Sequence, residues 1–75
     1  MEYVAVESSN IRAIGYNPDL SILGVQFNNG MEYHYFNVPY TVFESLLQVS
    51  SSGESVGKYF NAKIRNSEYE YRQIN

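Results

Sequence analysis

The stretch Leu23-Gly24-Val25-Gln26-Phe27-Asn28-Asn29-Gly30-Met31-Glu32-Tyr33-His34-Tyr35 decides how the first half of this chain folds. Apolar and polar residues alternate on both sides of Asn28-Asn29-Gly30, the pattern of two strands joined by a tight turn. Two turns compete for it. A two-residue Asn29-Gly30 loop would pair Val25 with His34 and Phe27 with Glu32, which puts charge on the apolar face. A three-residue loop pairs Phe27 with Met31, Val25 with Tyr33 and Leu23 with Tyr35. That register gathers six large side chains on one face and leaves Gln26 opposite Glu32 on the other. A slip of one residue turns every side chain to the wrong face, so burial selects the three-residue loop. Such a loop is a type I turn closed by a G1 bulge, with Gly30 in the left-handed conformation.

Upstream, Ile11 to Tyr16 reads as a strand leading into Asn17-Pro18-Asp19. That composition makes a turn because Pro presets φ while Asn and Asp bond to their own backbone. The next strand is expected from Leu20 to Phe27, and loops of three and four residues both fit before it. Tyr3 to Glu7 alternates weakly and is a candidate edge strand, interrupted by Ser8-Ser9-Asn10. Downstream, the period changes from 2 to 3.6 at Val38-Pro39. Pro39 suits a first helical position, and Val42, Phe43, Leu46, Leu47 and Val49 make one apolar stripe. Ser50-Ser51-Ser52-Gly53 is expected to stop that helix. A second helix is expected from Ser55 to Arg65, with Val56, Phe60 and Ile64 at i, i+4 and i+8. Gly57 weakens it by up to about 1 kcal/mol relative to Ala, so docking must hold it in place. Tyr69 to Ile74 alternates and is expected to lie extended against the sheet or the helices. The expected fold is α+β: a small antiparallel β-meander of three to four strands, then two helices packed on one sheet face, in a single domain over residues 1–75.

A chain of 75 residues sits near the lower size limit for independent folding and buries only about 60% of its unfolded surface. Eight Tyr and four Phe supply the density that such a core needs. The absence of Cys excludes a disulfide and any thiolate metal site. His34 is the single histidine, so a zinc site would rest on carboxylates, and neither metal nor cofactor is expected. The start, Met1-Glu2-Tyr3-Val4-Ala5-Val6-Glu7, has no basic segment followed by an apolar run, and nothing approaches the roughly 20 apolar residues of a membrane span. A soluble, cytoplasmic protein is the expectation.

Net charge is −3, which works against non-specific attraction to phosphate backbones. Its distribution is uneven. Lys58, Lys63, Arg65 and Arg72 face only Glu68 and Glu70 in residues 58–72, whereas the rest of the chain sets Arg12 against six carboxylates. An acidic body therefore carries a mildly basic C-terminal fifth.

Catalytic signals are absent. Gly53-Glu54-Ser55-Val56-Gly57-Lys58-Tyr59 looks like a phosphate-binding loop, but it has three residues between its glycines instead of four. Tyr59 also stands where a magnesium-binding hydroxyl belongs. His34 lies opposite Gly24 on the outer strand face in the preferred register, and no nucleophile or carboxylate partner for it is identifiable from spacing. Glu68 and Glu70 share a strand face, yet nothing separates their acidities for acid–base work. The chain is not expected to be an enzyme. Aromatics beside basic groups suggest a different use: Lys58, Lys63, Arg65 and Arg12 for phosphates, with Tyr59, Tyr69 and Tyr71 to stack on bases. Tyr33 and Tyr35 are assigned to the core beneath the helices.

Taken in order, these residues resemble the KTSC domain, a small module named for its occurrence at the C-terminus of some lysyl-tRNA synthetases. The pattern reads Ser8-Ser9-x-Ile11, Ile14-Gly15-Tyr16, then Leu23-x-Val25-x-Phe27-x-x-Gly30-x-x-Tyr33-x-Tyr35. It continues with Val38-Pro39-x-x-Val42, Leu46-Leu47, Ser52, Gly57-Lys58-Tyr59-Phe60-Asn61-x-x-Ile64-Arg65 and Tyr69-x-Tyr71. The departure from it is the longer turn from Ser50 to Ser55. The resemblance implies a stand-alone α+β module without catalytic residues, of a kind found in bacteria and their phages. Its association with a synthetase implies contact with RNA. Two functions follow as expectations: a module for single-stranded RNA or other nucleic acid, or a protein-interaction module acting as a homodimer or as a phage or host accessory factor.

Overall fold

A computed structural model describes all residues from Met1 to Asn75. Five strands form one antiparallel sheet in chain order: β1 (Tyr3–Ala5), β2 (Ile11–Asn17), β3 (Ile22–Phe27), β4 (Glu32–Tyr35) and β5 (Tyr71–Gln73). Between β4 and β5 lie α1 (Tyr40–Ser51), α2 (Val56–Phe60) and a π-helical turn over Asn61–Arg65. Neither helix is long and apolar enough to cross a membrane.

The central hairpin has the three-residue loop. Leu23 pairs with Tyr35, Val25 with Tyr33 and Gln26 with Glu32. The Gly30 N–H donates to the Phe27 carbonyl at 3.0 Å, the Phe27 N–H donates to the Met31 carbonyl at 2.8 Å, and Gly30 has φ +91°. These are the bonds of a type I turn with a G1 bulge. The β2–β3 connection takes the four-residue form, since Asn17 pairs with Ile22. Asn17 Oδ1 there accepts from the Asp19 and Leu20 N–H groups. Leu20 thus belongs to the turn, not to the strand, and is exposed. A bulge at Arg12 shifts the register between Ile11 and Ala13.

The sheet has five strands where three to four are expected. β1 pairs with β2 as an edge, and Tyr69 to Ile74 does not lie on the helices but returns to β4, pairing Tyr71 with Tyr35 and Gln73 with Tyr33. This return satisfies β4 backbone groups that would otherwise form a bare edge. Pro39 stands one position earlier than expected: it is the extended N-cap of α1, at φ −63° and ψ 146°, which is the conformation that precedes a helix. The helix also continues through Ser50 and Ser51 and ends at Ser52, before Gly53 at φ +81°. The Ser51 and Ser52 hydroxyls donate back to the Gln48 and Val49 carbonyls, which lets serines occupy the last turn. The second helix is not uniform. Ser55 caps it by accepting from the Lys58 N–H, and after Phe60 the turn widens until the Asn66 N–H reaches the Asn61 carbonyl at 3.0 Å.

Ile14, Leu23, Val25 and Tyr35 face the helices from the sheet. Phe43 and Leu46 of α1, Val56 and Phe60 of α2 and Ile64 of the wide turn close over them, with Val38 filling the junction. On the opposite face, Tyr3, Gly15, Gly24, His34 and Arg72 are paired in succession across all five strands. The side chains of Met1 and Tyr3 occupy the trough above the two glycines.

Candidate nucleic-acid interface

Strand alternation sends Tyr33 and Tyr35 to the helix side of β4, and pairing sets Tyr71 of β5 opposite Tyr35. The three rings therefore meet at one corner of the sheet. Tyr35 and Tyr71 centroids are 5.5 Å apart, Tyr33 and Tyr71 5.8 Å, and Tyr33 and Tyr35 6.3 Å with their planes 28° apart. Such offset and tilted contacts suit the quadrupoles of aromatic rings. Phe60 supports Tyr35 edge-on from the helix layer at 5.6 Å.

Arg65 ends the π-helical turn and reaches back until its guanidinium carbon stands 5.9 Å from the centre of the Phe27 ring. A cation over an exposed ring gains about 0.5–1 kcal/mol, enough to bias the direction of a long side chain. Between Arg65 and the tyrosines lies a cavity of about 150 Å³ lined by Tyr33, Tyr35, Ile64, Arg65, Ser67, Tyr69 and Tyr71. No carboxylate lines it. Burial pushes the Tyr35 hydroxyl above the ordinary phenol value, the neighbouring Tyr33 and Tyr71 phenols add to the rise, and Arg65 opposes it. The hydroxyl is therefore a neutral group at neutral pH. Beyond Arg65, a more open hollow of about 330 Å³ is bounded by Ser9, Asn10, Phe27, Asn28 and Asn29.

The expected site residues divide into groups. Arg65, Tyr69 and Tyr71 come together around the cavity. Lys58 and Lys63 are exposed on α2 and the wide turn. Tyr59 is half-buried against the core and borders a hollow with Ser45, Gln48, Val49, Ser52 and Glu54, apart from the cavity. Arg12 is exposed in the β2 bulge and borders another hollow, with Gln26, Glu32 and Asn75. Tyr33 is half-buried and Tyr35 is buried, as the register requires, but both also line the cavity. Sequence reasoning favoured the core for them. The signal that joins them to the C-terminal tyrosines is the shared period-2 spacing of Tyr33-x-Tyr35 and Tyr69-x-Tyr71.

On the outer sheet face, where Gln26 faces Glu32 as the register requires, the contacts of Tyr3 and His34 with Glu32 were missed. Tyr3 donates to Glu32 Oε2 at 2.6 Å, Gln26 donates to Glu32 Oε1 at 3.3 Å, and His34 Nε2 lies 3.6 Å from Glu32 Oε2. His34 does have a carboxylate partner, brought by the i, i+2 spacing of Glu32 and His34 on one strand face. The Tyr3 hydrogen bond is the main cause holding the Glu32 carboxyl below its usual value. Burial, then the bond to Glu32, raises Tyr3 well above the ordinary phenol range. A tyrosine held protonated against a carboxylate held charged is a pinned arrangement, the reverse of a poised proton carrier.

A family model described as the KTSC domain matches residues 7–71. An uncharacterised protein of Stutzerimonas stutzeri is 38% identical over 74 residues, covering 99% of each chain. A lysine–tRNA ligase of a Nostoc species is 37% identical over 68 residues, covering 91% of this chain and 11% of the ligase. In a crystal structure of a KTSC domain protein from Yersinia pestis the same fold recurs, with a TM-score of 0.75 and 35% identity over 99% of this chain and 97% of that one. With residues 7–71 matched and the fold shared across both chains, this protein belongs to the KTSC domain family.

Proposed function

We propose that this KTSC domain is a non-catalytic module that binds single-stranded nucleic acid, RNA in particular, through the corner formed by β4, β5 and the π-helical turn. The observation that carries the reading is the tyrosine-lined cavity with Arg65 at its edge and no carboxylate in its lining. Single strands are held by aromatic faces that stack on bases and by cations that meet phosphates. Lys58 and Lys63, exposed on the adjoining α2 and wide turn, add charge without needing a built pocket. A relative named as a lysine–tRNA ligase contains the matching region within 11% of its length, which supports RNA as the nucleic acid.

The test is fluorescence anisotropy with short single-stranded RNA at low and at physiological salt. Binding should weaken with a log–log slope of about −0.7 per phosphate neutralised. Arg65→Gln should weaken binding and flatten that slope by about one phosphate's share. Absence of binding at low salt would sink the proposal. The competing reading is a protein-interaction module that uses the open edges of β1 and β5, each three residues long. Sedimentation at a dimer mass together with no RNA binding would favour it.

A further inference from the structure

We infer that the cavity beside Arg65 seats one unstacked nucleobase, with the Arg65 guanidinium on the adjoining phosphate. This rests on the nucleic-acid reading above and adds what the site holds. Size bears first on the question. About 150 Å³ is well short of the roughly 300–1,000 Å³ of ordinary small-molecule sites, and suits a single heterocycle.

The chemistry of the walls narrows the ligand further. Tyr35 is 5% exposed and its hydroxyl has no hydrogen-bond partner within the chain, yet no fully buried polar atom is left unsatisfied. The hydroxyl therefore keeps some accessible surface, and the residue lines the cavity. Tyr69 and Tyr71 also lack partners within the chain, and the bond from Tyr33 to Gln73 is at the 3.5 Å limit. Each phenol can donate and accept, which matches a base edge where carbonyl and amino groups alternate. An aliphatic ligand would leave these hydroxyls unpaired, and a bare anion would gain nothing from the ring walls. Arg65 makes no ion pair within the chain and is steadied only by Phe27. It stands between this cavity and the hollow lined by Ser9, Asn10, Asn28 and Asn29, where a sugar–phosphate chain can continue.

The experiment compares a short oligouridine with a strand of the same backbone and length lacking its bases, by anisotropy at low salt. The chain as it stands should prefer the base-bearing strand by about tenfold or more. Tyr35→Phe keeps the ring and should lose about fivefold on the base-bearing strand while leaving the abasic strand unchanged. Tyr71→Leu changes an exposed ring, leaves the core intact, and should also lower only the base-bearing affinity. Equal binding of both strands by the unaltered chain overturns the base seat and leaves a phosphate-only module standing. Binding of neither strand overturns both readings. Equal weakening of both strands by Tyr35→Phe and Tyr71→Leu assigns those tyrosines to structure and overturns the seat as well.

Discussion

Two glycines show how one residue type meets two different demands. Gly30 has φ +91° and nothing within 4 Å of where a Cβ would stand, so Gly30→Ala meets only backbone strain. A loss of about 1–2 kcal/mol is expected in urea unfolding. A Cβ on Gly24 would instead overlap the Tyr3 hydroxyl and lie 2.6 Å from the Met1 sulfur. Gly24→Ala should cost about 1–3 kcal/mol, and the cost should shrink when Tyr3→Ala is present, a coupling that a double-mutant cycle reads directly. Glu32 carries the pH dependence of the same region. Its folded acidity is depressed, chiefly by the Tyr3 bond, so its contribution is present above the unfolded glutamate value of about 4.3 and is lost as pH falls below it. Tyr3 is shifted upward, so its contribution is full below the unfolded value of about 10 and declines as pH rises beyond that. Denaturant unfolding from pH 6 down to 3 should show a decline that Glu32→Gln flattens. Gly30 was readable from hairpin parity. The Tyr3–Glu32 bond was not, because its partners are 29 residues apart.

Among the elements, α1 and the hairpins follow from their hydrophobic periods, since a stripe at 3.6 or at 2 has only one face it can bury. The segment from Ser55 to Arg65 follows only in part. Val56, Phe60 and Ile64 are all buried, as their spacing implies. The change from α to π after Phe60 has no counterpart in that pattern, whose i, i+4, i+8 spacing is that of an α-helix. Docking decides between the two windings, and it is the wider turn that ends with Arg65 over Phe27. Phe60 ties this element to the sheet, with Phe27 at 5.9 Å and Tyr35 at 5.6 Å between ring centres. Phe60→Ala should cost about 3–5 kcal/mol. Total stability for this length is about 4–11 kcal/mol, so the variant should lose a large share of it, read as a lower urea midpoint by circular dichroism, and it unfolds at room temperature where the parent lies at the low end of that range.

For the whole molecule, the sheet order β1 to β5 leaves two short edges and joins the last strand to the middle of the chain. Besides the β4–β5 ladder, the Glu32 N–H donates to the Asn75 carbonyl at 2.8 Å and the Phe36 N–H to the Glu70 carbonyl at 2.9 Å. Removing residues 69–75 should therefore bare the β4 edge, lower the urea midpoint and promote self-association, which sedimentation velocity would register. The same truncation removes two walls of the cavity. By itself, the sequence determined the central register, the G1 bulge, the apolar face of each helix and the KTSC pattern. Each of these is set by short-range periodicity and turn chemistry, where a one-residue error exposes the core. Only the tertiary structure decided the fifth strand, the π-helical turn, the Tyr3–Glu32 bond and the grouping of Arg65 with four tyrosines. Those depend on contacts between segments far apart in the chain, and their individual energies are too small to leave a mark on any local pattern.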